Sequence, residues 1–322
     1  MKNIFKTILF FFSAISIAQD VGFSNILDAV YPDKNNLKFY KNYSIDSPKN
    51  TIYNINLVVK SELNSVIKVD YKSDSFNKII FSEVLDVPVE QNTGLDSRTE
   101  RFKGNVNPYV IRRAPFRIFE IIKPIKSSML ISKSNFSLIN VKIPIDKNLN
   151  LDKHQIDFTV HINDQKFSLK LKIHIHDIII PELEKSNFFY TNWFNLSKME
   201  EYHQLERWST DWYIMLDKYA KMMAYGRQNC VKIPAELIYI ENDEIFLNEE
   251  RMMSFINVFL KYGFKYFESP HLLDRGKNDD WGNPELITKL RDVGYYSEEG
   301  KKEINDVTLK IKEFTKKYNL TD

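Results

Sequence analysis

Apolar and polar residues alternate along the chain from Thr51 to about Ile180, and this alternation is the strongest constraint on its fold. A period of two is typical of a strand with one buried face, because successive side chains of a strand point to opposite sides of a sheet. Two such faces consist of the residues Tyr53, Ile55, Leu57, Val59, and Ile139, Val141, Ile143, Ile145. Each set predicts one half-buried strand.

A third alternating stretch predicts a hairpin. Apolar residues at every second position from Ile156 to Ile162 lead into Asn163-Asp164-Gln165, and the same alternation then runs back from Phe167 to Ile175. Several short alternating strands with polar turns between them, and no helical pattern among them, favour two antiparallel sheets packed face to face. We therefore predict a β-sandwich domain over about residues 19–180.

After Pro181 the apolar residues recur at helical spacing. Helices are predicted at about 212–225, where Gly226 ends the first, at 248–262 and at 297–318. Predicted strands at 187–193, 229–233 and 264–268 alternate with them, and three βα units in a row predict a parallel sheet. The short connections match those of a (β/α)8 TIM-type barrel, which needs eight units. We predict an incomplete barrel over 181–322, with a small open α/β sheet as the alternative.

The first eighteen residues have the composition of a secretory signal peptide. Lys2 and Lys6 precede an apolar run from Ile8 to Ile15, and Ser16-Ile17-Ala18 is a small-x-small cleavage pattern. The apolar run is shorter than the roughly twenty residues of a membrane helix. We predict cleavage after Ala18 and export to the periplasm or the cell exterior.

Charge and cysteine content exclude several classes of protein. The 45 basic and 43 acidic residues give a net charge of +2 and form no long run of one sign, so nucleic acid is not a predicted partner. The single cysteine, Cys230, predicts a free buried thiol.

His174 and His176 lie two apart on a polar strand face without a third ligand nearby in sequence. We therefore predict solvated histidines, no metal and no cofactor.

Several segments resemble glycoside hydrolase family 123. The start of that family's catalytic barrel is similar to Tyr190-Thr191-Asn192-Trp193-Phe194, to the helix from Trp212 to Ala224, and to Gln228-Asn229 with Ile233-Pro234. The segment from Asn107 to Pro115 resembles the family's N-terminal sandwich domain. The resemblance implies a sandwich followed by a catalytic barrel.

The resemblance also implies a chemistry. Members of the family are similar to exo-acting β-N-acetylgalactosaminidases that cleave glycans or glycolipids with a terminal N-acetylhexosamine. The sugar's own 2-acetamido oxygen would attack the anomeric carbon, so the configuration is retained without an enzyme nucleophile. An adjacent Asp-Glu pair on the fourth barrel strand would act with it. The Asp would orient the acetamido group, and the Glu would protonate the leaving oxygen and later deprotonate water.

No fourth strand with such a pair precedes Asp322. The Asp243-Glu244 dipeptide lies in a polar stretch between a predicted strand and helix, where a solvated turn is the expected structure. We therefore expect a fragment of the hydrolase that lacks the catalytic pair and is inactive alone. The alternative is a noncatalytic secreted carbohydrate-binding protein, and the oligomeric state stays open.

The barrel rule selects candidate sugar-binding residues, because active sites of such barrels form at the carboxyl ends of the strands and in the loops that follow. The residues at these positions are Asn192, Trp193, Asn229, Glu268, His271 and Trp281. Indoles stack on sugar faces, and amides, carboxylates and imidazoles hydrogen-bond to hydroxyls. Purely structural roles are the alternatives: Trp193 in the core, Asn229 as a turn cap and His271 as a surface residue.

Overall fold

The protein is described by a computed structural model that covers residues 19–33, 38–92, 110–275 and 284–320. The chain divides into two compact units, Met1–Ile180 and Pro181–Asp322. The predicted signal peptide and the segment from Asn107 to Tyr109 lie outside the described residues. Over the described ranges, every helix falls short of the length and apolar character that a membrane span requires.

Ten strands build the described part of the first unit. They are β1 (Asp20–Ser24), β2 (Asn42–Lys49), β3 (Thr51–Lys60), β4 (Val66–Lys72), β5 (Ile80–Val89), β6 (Phe116–Pro124), β7 (Met129–Ile131), β8 (Phe136–Ile145), β9 (Lys153–Ile162) and β10 (Gln165–Ile179). One five-stranded sheet has the order β1-β3-β8-β5-β6 and the other the order β2-β10-β9-β4-β7. Neighbouring strands are antiparallel, except that β2 runs parallel to β10.

The core of this unit takes side chains from both sheets. Leu57 and Ile139 of the first sheet belong to the same buried cluster as Phe158 and Ile173 of the second. Each fully buried side chain of this size contributes about 1.5–3 kcal/mol to stability. On the central strands β3 and β8, residues that point away from this core are also buried, in a second cluster that includes Val58. The two sheets thus share one apolar layer.

The predicted hairpin is confirmed by β9 and β10. The two strands pair antiparallel from the Gln165–Ile162 pair at the turn to the His174–Lys153 pair at the far end. Asn163 adopts a left-handed conformation with φ of 50° at the turn. Asparagine tolerates this backbone region better than most residues, which explains the sequence signal.

The second unit contains short strands among longer helices. Its described α-helices are α1 (Leu196–His203), α2 (Thr210–Tyr225), α3 (Glu249–Leu260) and α4 (Glu298–Lys317), with 3-10 turns at Leu183–Lys185 and Ala235–Leu237. Its strands are β11 (Cys230–Lys232), β12 (Ile238–Glu241), β13 (Glu244–Leu247), β14 (Tyr266–Glu268), β15 (Leu273–Asp274) and β16 (Ile287–Thr288). The side-chain oxygens of Ser209, Asn248 and Ser297 accept hydrogen bonds from N–H groups in the first turns of α2, α3 and α4. These caps fix where the three helices begin.

The prediction of an incomplete (β/α)8 barrel is wrong. The described residues are mostly β, with 39% strand and 23% helix, and they do not repeat strand and helix in a barrel pattern. Only β11 and β14 pair in parallel there, while β12–β13 and β15–β16 are antiparallel hairpins. The predicted strand at 187–193 is not a strand in the structure, although the Tyr190 carbonyl accepts from the N–H groups of Asn229 and Cys230, each at 3.1 Å.

A buried carboxylate organises the turn after β16. Glu303 on α4 is 1% exposed, and its two oxygens accept hydrogen bonds from the Thr288 hydroxyl at 2.7 Å and from the N–H groups of Leu290 and Arg291, both at 3.1 Å. Buried carboxylates are stable only when their lone pairs are used in this way. The long loop predicted between the third strand and its helix thus contains the antiparallel β15–β16 pair and a turn that is held against α4.

Candidate functional site

The carboxyl ends of β11 and β14 bring two charged side chains together. Lys232 and Glu268 are cross-strand partners in the parallel pair. The ladder continues one residue further, where the Ile233 N–H donates to the Glu268 carbonyl at 2.8 Å. Because partners in a parallel pair project to the same side of the sheet, both side chains reach the same face. This is where the sequence placed its candidate residues.

Trp193 forms the apolar part of the site. Its side chain is 66% exposed, which excludes the alternative of a core residue. The His271 ring packs edge-on against the indole with centroids 5.2 Å apart and an interplanar angle of 76°, and Lys232 Nζ lies 5.0 Å from the ring centroid. A cation at this distance is attracted by the π-face. Three residues from three separate chain segments therefore meet around one exposed indole.

Asn229 holds the Trp193 segment in place. It is completely buried, its Oδ1 accepts from the Tyr190 N–H at 2.9 Å, and its Nδ2 donates to the Phe188 carbonyl at 2.8 Å. Both ends of the amide are thus engaged with backbone groups, so the side chain fixes the approach of residues 188–190 to β11. This is a positioning role behind the exposed cluster.

Two further amides support the same segment. Gln228 is buried, and its Nε2 donates to the carbonyls of Asn192 at 3.1 Å and Cys230 at 2.8 Å. Asn192 is exposed, and its Nδ2 donates to Tyr190 Oη at 2.6 Å. The sequence identified Gln228 only as part of the resemblance and did not predict its role, because a buried amide cannot be told from an exposed one without the fold.

Glu268 carries an unused acceptor. Its Oε2 is buried and has no hydrogen-bond partner among the described residues. Leaving a buried acceptor unpaired costs on the order of 1–3 kcal/mol, so a hydroxyl donor at this position would be stabilising. The neighbouring Cys230 is confirmed as a free buried thiol, and burial, followed by the negative charge of Glu268, raises its pKa. A raised pKa favours the thiol form of Cys230 over the thiolate, which is the nucleophilic form.

The remaining predicted residues lie elsewhere. Trp281 falls outside the described residues. Asp243 forms the tip of the β12–β13 hairpin with φ of 64°, and its side chain is 93% exposed. Its carboxylate faces Arg291 at 3.4 Å, so the Asp243-Glu244 dipeptide is a solvated turn, as its polar surroundings indicated. Among the described residues, the ends of β11 and β14 offer one carboxylate, Glu268.

The first unit contains a separate cavity of about 360 Å³. Its lining includes Phe119 and Phe136 together with two ion pairs, Lys133–Glu83 at 2.9 Å and Arg117–Asp86. Aromatic and charged side chains side by side are typical of small-molecule sites. The cavity lies on the β5–β6 side of the first sheet.

Comparison with known proteins supports the fold alone. No family model matches the chain, and no curated protein matches it. A family 123 glycoside hydrolase from Clostridium perfringens, studied for glycolipid glycan hydrolysis, is similar in structure with a TM-score of 0.60 and 11% identity over 77% of this chain. The chain spans 46% of that hydrolase.

Other solved structures are similar only in part. A PapD-like domain of human CEP192 aligns with 56% of this chain and 99% of its own at 7% identity, with a TM-score of 0.23. A cohesin–dockerin complex from Clostridium thermocellum aligns with 42% of this chain and 95% of its own at 12% identity, with a TM-score of 0.18. Neither likeness carries an argument about function.

Proposed function

We propose that this chain is the glycan-binding part of a glycoside hydrolase that acts on terminal N-acetylhexosamine. The observation that carries the proposal is the exposed Trp193 indole, flanked by His271 and Lys232, at the strand end that also holds Glu268. The structural likeness to a family 123 glycoside hydrolase supports a glycan as the ligand class.

The chemistry of the cluster suits a pyranose ring. The C–H face of a sugar stacks on an indole, while Lys232, whose Nζ lies over the ring, and His271, which packs against it, can donate to sugar hydroxyls. Glu268, the cross-strand partner of Lys232, adds a carboxylate at the same strand end. An apolar platform with convergent polar groups is the usual composition of a small-ligand site.

The proposed reaction is retaining hydrolysis with substrate assistance from the 2-acetamido group. That reaction needs one carboxylate to orient the acetamide and a second to act as acid and base. Among the described residues, the ends of β11 and β14 provide only Glu268 for these two tasks. This chain alone is then expected to bind sugar and not to cleave it.

Titration of the full chain with N-acetylgalactosamine tests the proposal through tryptophan fluorescence. A monosaccharide of about fifteen heavy atoms, at about 0.3 kcal/mol per atom, binds with a dissociation constant of roughly 0.5 mM. Trp193→Ala should weaken binding about tenfold, whereas Tyr202→Ala, which removes another exposed aromatic ring of the same unit, should leave it unchanged. Equal binding by wild type and Trp193→Ala would refute the site.

Turnover is tested separately with an aryl β-N-acetylgalactosaminide. We expect no hydrolysis by the 322-residue chain, because the reaction needs two carboxylates and the described ends of β11 and β14 offer only Glu268. Turnover by the chain would overturn this expectation and would leave the proposed binding site intact.

A noncatalytic secreted carbohydrate-binding protein is the second candidate, and the cavity of about 360 Å³ in the first unit favours it. In that case the sandwich holds the glycan. Binding that survives Trp193→Ala but is lost in Arg117→Ala, which opens the Arg117–Asp86 pair at the cavity, would select this function.

Export is part of the proposal. Expression with residues 1–18 in a bacterial host should yield a protein in the periplasm or medium whose first residue is Gln19. A cytoplasmic product that retains Met1 would contradict it.

A further inference from the structure

The second sheet of the first unit carries a cluster of three metal-ligating side chains. Asp46 of β2 and His174 of β10 are cross-strand partners in the parallel pair, and His176 follows two residues later on the same face. Asp46 is 128 residues from His174 in sequence. The sequence predicted no metal here because the third ligand was not nearby, and the fold supplies that ligand.

The three donor atoms converge on one point. His174 Nδ1 lies 3.0 Å and His176 Nε2 lies 2.8 Å from the same oxygen, Asp46 Oδ1, and the two imidazole centroids are 4.5 Å apart. Among the described residues this is the group of three such side chains whose donor atoms all lie within 4.8 Å of one another. Tetrahedral zinc with bonds of about 2.0–2.2 Å needs neighbouring donors roughly 3.3 Å apart, so small rotations suffice.

The surroundings of the three side chains leave room for a metal ion to enter and influence how strongly it binds. The three side chains are between 44% and 72% exposed, which leaves an open path from solvent. Lys153 on β9 is the cross-strand partner of His174 and adds a positive charge nearby, which moderates cation binding.

We propose that Asp46, His174 and His176 bind one divalent transition-metal ion, Zn²⁺ in the first instance, with water completing the coordination. Two imidazoles and a carboxylate suit zinc and its neighbours better than Mg²⁺ or Ca²⁺, which prefer oxygen ligands. Each imidazole binds through a nitrogen lone pair, so the proton now shared with Asp46 moves to the other ring nitrogen or to solvent. The bound ion would join β2, an edge strand, to β10.

Zinc titration of the full, untagged, chelator-treated chain tests the proposal by calorimetry. We expect one Zn²⁺ per chain, and His174→Ala or Asp46→Ala should weaken binding by at least about 100-fold, the upper end of what losing a supporting residue costs. Imidazole ¹⁵N shifts of His174 and His176 should change with one equivalent of Zn²⁺. Mg²⁺ should give no heat of binding.

The chain provides a matched control on the same sheet. His161 Nε2 lies 3.1 Å from Asp70, a histidine–carboxylate pair without a second imidazole, so His161→Ala should retain full zinc binding. Circular dichroism should show that each variant folds, and we expect this because the substituted side chains contact solvent. Wild-type binding weaker than about 100 µM, or equal loss in the His161 control, would overturn the proposal.

Discussion

The carboxylate of Glu303 should be the most sensitive single group in the second unit. Its three hydrogen bonds come from the Thr288 hydroxyl and the N–H groups of Leu290 and Arg291. Glu303→Leu fills a similar volume but leaves the buried Thr288 hydroxyl and the two partly buried N–H groups without their acceptor. At about 1–3 kcal/mol for each unsatisfied donor, offset in part by apolar burial, the expected loss of unfolding free energy is about 4 kcal/mol.

Urea unfolding followed by tryptophan fluorescence isolates this effect, because all four tryptophans follow Pro181 and therefore report on the second unit. With an m-value of about 2 kcal/mol/M, the midpoint should fall by roughly 2 M. Glu303→Gln keeps one acceptor oxygen and should lose about half as much, which keeps the test informative if the leucine variant does not fold.

The exposed Glu313 on the same helix provides the control. Glu313→Gln should change stability by less than about 0.5 kcal/mol, since surface substitutions away from special features usually do. A Glu303→Leu midpoint within about 0.3 M of the wild type, with the control equally unaffected, would show that the three contacts do not anchor the turn.

Two further predictions concern the second unit. Asn229→Ala removes both backbone contacts of a buried amide, so unfolding free energy should drop by about 2–4 kcal/mol and N-acetylgalactosamine affinity should fall, while the exposed Asn192→Ala should be neutral in urea unfolding. Hydrogen bonds from Lys261 and then Tyr262 lower the pKa of Asp217. A lowered folded-state pKa contributes stability above the unfolded value near 3.8 and loses it as pH falls further. The free energy of unfolding of the wild type should thus exceed that of Asp217→Asn by up to about 1 kcal/mol at pH 7. The two free energies should become equal by pH 2–3. A difference in unfolding free energy that persists at pH 2–3 would indicate that Asp217 acts through packing and not through its charge.

Local patterns in the sequence predicted the elements well. The α2, α3 and α4 helices lie where apolar spacing placed them, because an amphipathic stripe and a capping residue are both local signals. The β9–β10 hairpin was equally readable from its alternation and its Asn163 turn. Helix and strand positions are fixed by residues within a few positions of one another.

Long-range arrangement was not readable in the same way. The barrel prediction failed because three strand–helix alternations do not specify that the strands pair, and Asn229 holds residues 188–190 through its side chain without a strand forming there. No local pattern distinguishes the buried Glu303 from the other charged residues of its helix. Asp46 reaches its two histidines only through a parallel pairing that no local pattern indicates. Trp193 and His271 do meet, but their contact depends on two loops whose course the sequence did not define.

The parallel pairing of β2 with β10 has a consequence for how the protein is made. The partners Asp46 and His174 are 128 residues apart, so β2 leaves the ribosome long before the strand it pairs with has been synthesised. At roughly 5–20 residues per second, that interval is about 6–26 s. During this time β2 presents unpaired backbone groups, and sandwich topologies of high contact order close slowly. The nascent chain is therefore most open to chaperones, and to mispairing with a second nascent chain, before residue 179 emerges.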